Sequence, residues 1–114
     1  MASTSNVTVL YPAPAEGQTF DMDYYVSTHL QKVQEAWKDI GVKGVQMIKF
    51  TDAVGGGKLP FSVAAITTFD SPDGSKKALV APQTKAVFED APNYTNMQPL
   101  LLLGDVTASW DRAE

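Results

Sequence analysis

The order in which strand-like and helix-like segments follow one another constrains this fold more than any other sequence feature. Four segments are typical of strands and two of helices, and they follow as strand, helix, strand, strand, helix, strand. This βαββαβ order is that of the split βαβ motif, in which helices cover one face of an antiparallel sheet. The sequence therefore predicts a ferredoxin-like α+β fold with a four-stranded antiparallel sheet. The predicted strands are residues 7–11, 44–50, 61–69 and 100–107.

The first helix has the clearer signature of the two. Asp21 can cap its N-terminus, and Gly41 can end it. The second helical region follows a turn at 70–74, is split by Pro82 and ends at 91–93, because proline interrupts a helix. Apolar residues of the first helix recur at spacings of three and four, which predicts a stripe that faces the sheet: Met22, Tyr25, Val26, His29 or Leu30, Val33, Ala36, Trp37 and Ile40.

The predicted sheet is apolar on both of its faces. The third strand places Val63 and Ala65 on one face and Ala64 and Ile66 on the other, and the fourth begins with four leucines in succession at 100–103. Helices cover one face only, so the second apolar face needs another cover, and a second copy of the chain is the simplest one. We therefore expect a homodimer that packs through its sheet faces.

Composition narrows the class of protein. With 114 residues, 44% of them hydrophobic and 19% charged, the chain fits one globular domain spanning 1–114. A net charge of -4 without long charged runs disfavours nucleic acids and anionic membranes as partners. No cysteine is present, which excludes disulfides, thiolate catalysis and zinc–thiolate sites. Since no signal peptide or membrane anchor is visible, we expect a cytoplasmic protein.

His29 is the only histidine, so it is the side chain best suited to proton chemistry near neutral pH. Its helical spacing from Tyr25 and Val33 places it on or beside the stripe that faces the sheet. Two interpretations remain open. His29 could be a core histidine whose ring nitrogens bond to a backbone carbonyl or a tyrosine hydroxyl. It could instead be a general acid or base in a pocket between helix and sheet, with Tyr25, one turn earlier, as its partner.

Several segments resemble the EthD family of small dimeric α+β barrel proteins. The similarity covers nearly the whole chain in order and spacing, and its most specific part is the pair Tyr24 and Tyr25 followed four residues later by His29. The resemblance implies one EthD-like dimeric α+β barrel domain, in agreement with the two apolar sheet faces. The similar positions are 9–12, Phe20, Asp23, Tyr24, Tyr25, His29, 69–71, 92–95 and Pro99.

The resemblance implies several chemistries, because the family and its structural relatives include a methylmuconolactone methylisomerase, polyketide cyclases, cofactor-free monooxygenases and proteins of ether-degradation clusters. The isomerase histidine that corresponds to His29 is thought to transfer protons. The cysteine thought to work with it has no counterpart in this chain, which disfavours the same isomerisation. The family match also implies that Tyr94 and Asn93 approach the pocket as substrate-binding residues.

The sequence implies no cofactor and no metal site. His29 together with Asp21 or Asp23 has no recognisable metal-ligand spacing. Related dimeric barrels bind haem, but no other residue favours haem ligation by His29. The acidic residues near the C-terminus are interpreted as solvated charges: Asp105, Asp111 and Glu114.

Two functional hypotheses follow. The first is a cofactor-independent enzyme that acts on a small apolar, aromatic or polyketide-like molecule, with His29 as general acid or base in a dehydration, cyclisation, isomerisation or oxygenation. The alternative is a non-catalytic dimeric protein of a degradation or biosynthetic cluster that binds a small molecule, in which His29 supplies only a hydrogen bond. A structural homodimer without a cavity is the third interpretation.

Overall fold

The computed structural model describes residues 4–110 and 112. The strands are β1 (Thr4–Pro12), β2 (Val42–Lys49), β3 (Phe61–Phe69) and β4 (Leu100–Val106), and the helices are α1 (22–40), α2 (Gly74–Val80) and α3 (Thr84–Glu89), followed by a 3-10 turn at Ala91–Asn93. The strands form one antiparallel sheet in the order β2-β3-β1-β4. This arrangement confirms the ferredoxin-like α+β fold predicted from the sequence.

The predicted boundaries hold to within a few residues. β2 begins at Val42 instead of Gly44, because the strand continues past an irregularity in its pairing and Val42 still lies opposite Phe69. The second helical region is divided into α2 and α3 around Pro82, as predicted. Of the charges predicted to be solvated, Asp105 is exposed on β4, whereas Asp111 and Glu114 lie outside the described residues.

The two predicted ends of α1 are confirmed. The Asp21 carboxylate accepts a hydrogen bond from the backbone N–H of Tyr24 at 3.0 Å, which caps the first turn. At the other end Gly41 has a φ of 97°, the left-handed conformation that ends helices and that glycine adopts without strain. Among the described residues, no helix combines the length and the hydropathy that crossing a membrane requires.

One turn of α1 is wider than an α-helical turn. Residues Tyr25–His29 form a π-helix, and the N–H of Leu30 bonds to the carbonyl of Tyr25. On a regular α-helix, Tyr25 and Trp37 would point about 120° apart at about 100° per residue. The extra residue of the wide turn removes about 100° of that angle. Tyr25, His29, Val33 and Trp37 therefore lie in one row, and all four are buried.

The same wide turn explains an error in the predicted stripe. A uniform helix would place Val26 within about 20° of Val33. The π turn rotates Val26 away from Val33 by most of the angle between successive residues, which is about 100°. Val26 is 50% exposed. Val26 is therefore not part of the face that packs on the sheet, whereas Tyr25 is.

Two clusters of buried residues fill the space between helices and sheet. The first is an aliphatic core around Phe69, which is fully buried, and Trp37. The second is richer in aromatic residues and lies at the end of the sheet where β1 finishes. Its members are Tyr11, Tyr25, Val63, Ala65, Tyr94 and Met97.

The opposite face of the sheet has no cover within one chain. Strand pairing places Leu100 opposite Leu10 and Leu102 opposite Thr8, so these side chains share the face away from the helices. Both leucines are 48% exposed. The predicted second apolar face is thus present at the β4 edge of the sheet.

Candidate functional site

A cavity of about 390 Å³ lies between α1, the sheet and the segment that follows α3. Small-molecule sites have volumes of about 300–1,000 Å³, so the cavity is suited to a small ligand. Exposed Gln98 and partly exposed Pro99 line it beside Leu101 of β4. Most of its wall is apolar, and the polar side chains on it include His29, Tyr11, Tyr25, Tyr94 and Thr67.

His29 is buried at this wall and bonded to a carboxylate. Its Nδ1 atom lies 2.8 Å from Oδ2 of Asp90, the residue that follows α3. The side chain of Asp90 is only 1% exposed and that of His29 only 4%. The hydrogen-bond partner of the ring is therefore a buried carboxylate, which neither sequence interpretation of His29 included.

The second oxygen of Asp90 accepts three further hydrogen bonds. Tyr24 Oη donates at 2.8 Å, Asn93 Nδ2 at 2.9 Å and Lys32 Nζ at 3.2 Å. Burial by itself would raise the pKa of Asp90, but the donors Asn93, His29, Tyr24 and Lys32 outweigh it and hold that pKa well below its usual range. Asp90 is therefore ionised at neutral pH.

Burial dominates the protonation of His29. Burial lowers the pKa of the imidazole. The hydrogen bond to Asp90 and the negative charge of Asp90 raise that pKa, and the positive charge of Lys32 lowers it slightly. The net direction is down, so the ring is mainly neutral at physiological pH. A neutral imidazole beside a cavity can accept a proton from a bound molecule.

Tyrosines surround the ring of His29. The ring centroids of Tyr25 and Tyr94 lie 4.7 and 4.6 Å from that of His29. The hydroxyls of Tyr94 and Tyr11 are 2.7 Å apart and share a hydrogen bond. Burial raises the pKa of Tyr11, Tyr25 and Tyr94, so all three remain neutral hydroxyls that can donate to an oxygen.

The structure brings three of the four sequence-predicted site residues to the cavity. His29, Tyr25 and Tyr94 line it, and they contact one another. Asn93 is absent from its lining: the side chain is exposed and its amide donates to Asp90. Its contact with the site is therefore indirect, because the 3-10 turn directs its side chain toward the carboxylate.

Two residues of the site were not predicted from the sequence. An acidic residue at the C-terminal end of a helix opposes the helix dipole, so Asp90 carries an unfavourable placement that could have marked it as functional. Tyr11 was assigned to the first strand and to the EthD-like positions, but not to the site. Its alternation with Val7 and Val9 places it on the helix-facing side, but its pairing with Tyr94 depends on contacts between distant segments.

Within 4–110 and 112, no group of three or more His, Asp or Glu side chains is placed to bind a metal ion. The described residues that line the cavity include no lysine or arginine to pair with the propionates of a haem.

Comparisons with known proteins identify the fold. No protein-family model and no functionally curated protein matches the chain in sequence. Among solved structures, an EthD-like protein from Ralstonia eutropha JMP134 superposes with a TM-score of 0.79 at 23% identity, covering 96% of this chain and 97% of its own. The resemblance to EthD proteins is confirmed at the level of the fold.

Two other structures share the architecture at lower similarity. SnoaB from Streptomyces nogalater, described as a cofactor-independent oxygenase, matches over 100% of both chains with a TM-score of 0.59 and 12% identity. A dimeric protein of unknown function and ferredoxin-like fold from Bacteroides fragilis matches over 90% of this chain and 96% of its own, with a TM-score of 0.51 and 10% identity. The chain therefore has the ferredoxin-like fold that EthD-like proteins and SnoaB share.

Proposed function

We propose that this protein is a cofactor-independent enzyme that acts on a small, largely apolar molecule, with His29 as general acid or base. The observation that carries the proposal is the position of the only histidine, which is buried at the wall of a mostly apolar cavity among neutral tyrosine hydroxyls. Imidazole is the side chain best matched to proton transfer near neutral pH. The likeness in fold to a cofactor-independent oxygenase supports the same class of chemistry.

The central step is removal of a proton from a carbon beside a carbonyl group. The His29 nitrogen that is not bonded to Asp90 takes the proton, and the electron pair of the broken C–H bond moves into the carbonyl to form an enolate. Return of the proton to another carbon completes an isomerisation, and its transfer to a departing hydroxyl completes a dehydration. Attack of the enolate carbon on a second carbonyl forms a ring, and the alkoxide produced takes the proton from His29. In an oxygenation the enolate carbon gives its electron pair to O₂, and the hydroperoxide that forms takes the proton.

The tyrosines bind the oxygen on which negative charge develops. Tyr11 and Tyr94 have two hydroxyl protons between them, and their mutual hydrogen bond uses one. The other proton remains to donate to the enolate oxygen, where a placed donor stabilises the transition state. Tyr25 packs against the ring of His29, and we assign both residues to the catalytic site. Asn93 acts indirectly, through its bond to Asp90.

Deuterium uptake by a model ketone tests this proposal without knowledge of the natural substrate. 2-Tetralone is a small aromatic ketone with exchangeable C–H groups beside its carbonyl. We expect the wild-type protein to accelerate their exchange in D₂O, followed by proton NMR. His29→Gln should reduce the acceleration by about a hundred- to ten-thousand-fold, the usual contribution of one general base. Tyr94→Phe should reduce it by a smaller factor.

The control is Glu35→Gln, an exposed residue of α1 whose carboxylate bonds to Lys38 and does not line the cavity. It should leave the exchange rate unchanged. If His29→Gln exchanged the probe as fast as the wild type, the catalytic role of His29 would be wrong. Binding of the probe to both proteins, seen as a raised melting temperature, without exchange by either would favour the non-catalytic binding protein.

We also propose that the chain acts as a homodimer packed through the open sheet face. The face carries Leu10, Ile66, Leu100 and Leu102, and the two leucines of β4 are half exposed. Contiguous exposed apolar surface is typical of interfaces. One structural neighbour is described as dimeric, which supports the same assembly here.

Light scattering after size-exclusion chromatography tests the dimer. The wild type should elute with twice the chain mass of 12.3 kDa. Leu102→Glu should shift it toward the monomer, whereas Val54→Glu, at a fully exposed position of the β2–β3 loop, should not. A wild-type monomer at micromolar concentration would contradict the assembly. The cytoplasmic location and the single-domain assignment stay predictions from the sequence.

A further inference from the structure

We propose that Asp90 is the positioning residue of this site and that it holds His29 in one tautomer, with the proton on Nδ1 and an unprotonated Nε2 available to the cavity. The effect on turnover rests on the proposed function, whereas the effect on the tautomer does not. The sequence alone assigned no role to Asp90. Its position between His29 and the surface residue Lys32 is what suggests one.

The geometry leaves one arrangement of protons. An ionised carboxylate can only accept hydrogen bonds, and Asp90 Oδ2 lies 2.8 Å from His29 Nδ1. Nδ1 must therefore carry the proton, and in a neutral ring Nε2 then carries none. Without Asp90 the two tautomers of a histidine are close in free energy, and only one of them presents a base to the cavity. The carboxylate thus keeps the ring in the reactive form.

The donors around Asp90 fix the position of the carboxylate itself. Tyr24, Lys32 and Asn93 all bond to Oδ1, which leaves Oδ2 directed at the imidazole. They come from two different elements, α1 and the 3-10 turn. Donors on α1 and on the 3-10 turn therefore hold the carboxylate that orients His29.

Lys32 is the surface member of this group. Its side chain is 48% exposed, and its ammonium neutralises part of the charge of Asp90. The other titratable groups that contact or neighbour His29 are neutral: Tyr25 on α1, Tyr94 after the 3-10 turn and Tyr11 on β1. Asp90 and Lys32 are therefore the two charges that act on the imidazole, and they act with opposite sign.

The single histidine allows a direct measurement. In uniformly ¹⁵N-labelled full-length protein, long-range proton–nitrogen NMR correlations report the tautomer and the pKa of His29 without interference from another imidazole. The wild type should show the Nδ1-protonated tautomer. Asp90→Asn keeps the shape of the side chain but removes its charge, so the single tautomer should be lost and the pKa of His29 should fall by about 1 or more.

Lys32→Gln provides the opposite perturbation at a position that does not endanger folding. It should keep the tautomer and raise the pKa of His29 by less than about 1, because solvent screens an exposed charge. Glu35→Gln, also on α1, should leave both unchanged. Opposite shifts in the two test variants support the proposal. A wild-type ring protonated on Nε2, or an unchanged tautomer in Asp90→Asn, would overturn it.

The outcomes separate this inference from the proposed function. If Asp90→Asn releases the tautomer and slows 2-tetralone exchange, both are supported. If it releases the tautomer but the wild type never exchanges the probe, the positioning role stands and the catalytic proposal fails. If the tautomer is insensitive to Asp90 while His29→Gln abolishes exchange, catalysis by His29 stands and the positioning role is wrong.

Discussion

Replacement of Asp90 by alanine should lower the free energy of unfolding by about 3 kcal/mol at pH 7. The largest part comes from His29, because its buried Nδ1 loses the hydrogen-bond partner that Asp90 supplies. An unpaired buried donor costs about 1–3 kcal/mol. Lys32 and Asn93 are exposed and Tyr24 is half-buried, so each can bond to water instead and contributes less than about 1 kcal/mol.

A double-mutant cycle isolates the interaction between Asp90 and His29. In a His29→Ala background the buried donor is already gone, so Asp90→Ala should cost only about 1 kcal/mol, which leaves a coupling of about 2 kcal/mol. Urea unfolding followed by tryptophan fluorescence measures all four proteins. Glu35→Ala, which removes an exposed partner of Lys38, should change stability by less than about 0.5 kcal/mol. A coupling below about 0.5 kcal/mol would refute the argument that Asp90 serves His29.

Three further predictions concern pH and packing. Because the pKa of His29 is lower in the folded than in the unfolded state, the unfolded chain binds more protons below about pH 6.5. The free energy of unfolding should therefore fall as the pH decreases below that value, by at most about 1.4 kcal/mol per pH unit. Urea titrations at pH 7, 6 and 5 measure this fall, and His29→Gln should abolish it. A Cβ on Gly74 would lie 2.6 Å from Cβ of the fully buried Phe69, so Gly74→Ala should lower the free energy of unfolding by about 1–3 kcal/mol. Gly44→Ala is the control, because a Cβ at Gly44 would have no atom within 4 Å. Equal urea midpoints for the two variants would contradict the packing argument. Trp37→Phe removes the 2.8 Å hydrogen bond from the indole N–H to Thr84 Oγ1 and should lower the free energy of unfolding by about 1 kcal/mol beyond the loss of ring area. A double-mutant cycle with Thr84→Val, followed by thermal unfolding, measures the contribution of this hydrogen bond.

The fold was predictable because its signals are local. Asp21 and Gly41 mark the ends of α1 through capping and backbone conformation, and Pro82 separates α2 from α3. Each of these effects involves residues a few positions apart. The order of the elements then restricts the sheet to a few arrangements, of which the ferredoxin-like one is observed.

The site was predictable only in part, because its contacts join distant segments. The helical period placed His29 on the buried side, but the carboxylate that it bonds to lies 61 positions along the chain. An aspartate is rarely buried without partners, and those of Asp90 come from α1 and from the following turn. Spacing within one helix therefore suggested Tyr25 as the partner of the imidazole, while the structure gives Asp90.

The wide turn of α1 also affects how this chain can be compared with others. A relative whose first helix is regular has one residue fewer between the positions of Asp21 and Val33. A correct alignment of the two sequences then needs a one-residue gap within Tyr25–His29. An ungapped alignment would pair Tyr25 or its neighbours with residues that occupy a different side of the helix. Transfer of functional residues between such proteins should therefore follow superposed coordinates for every position that precedes Leu30.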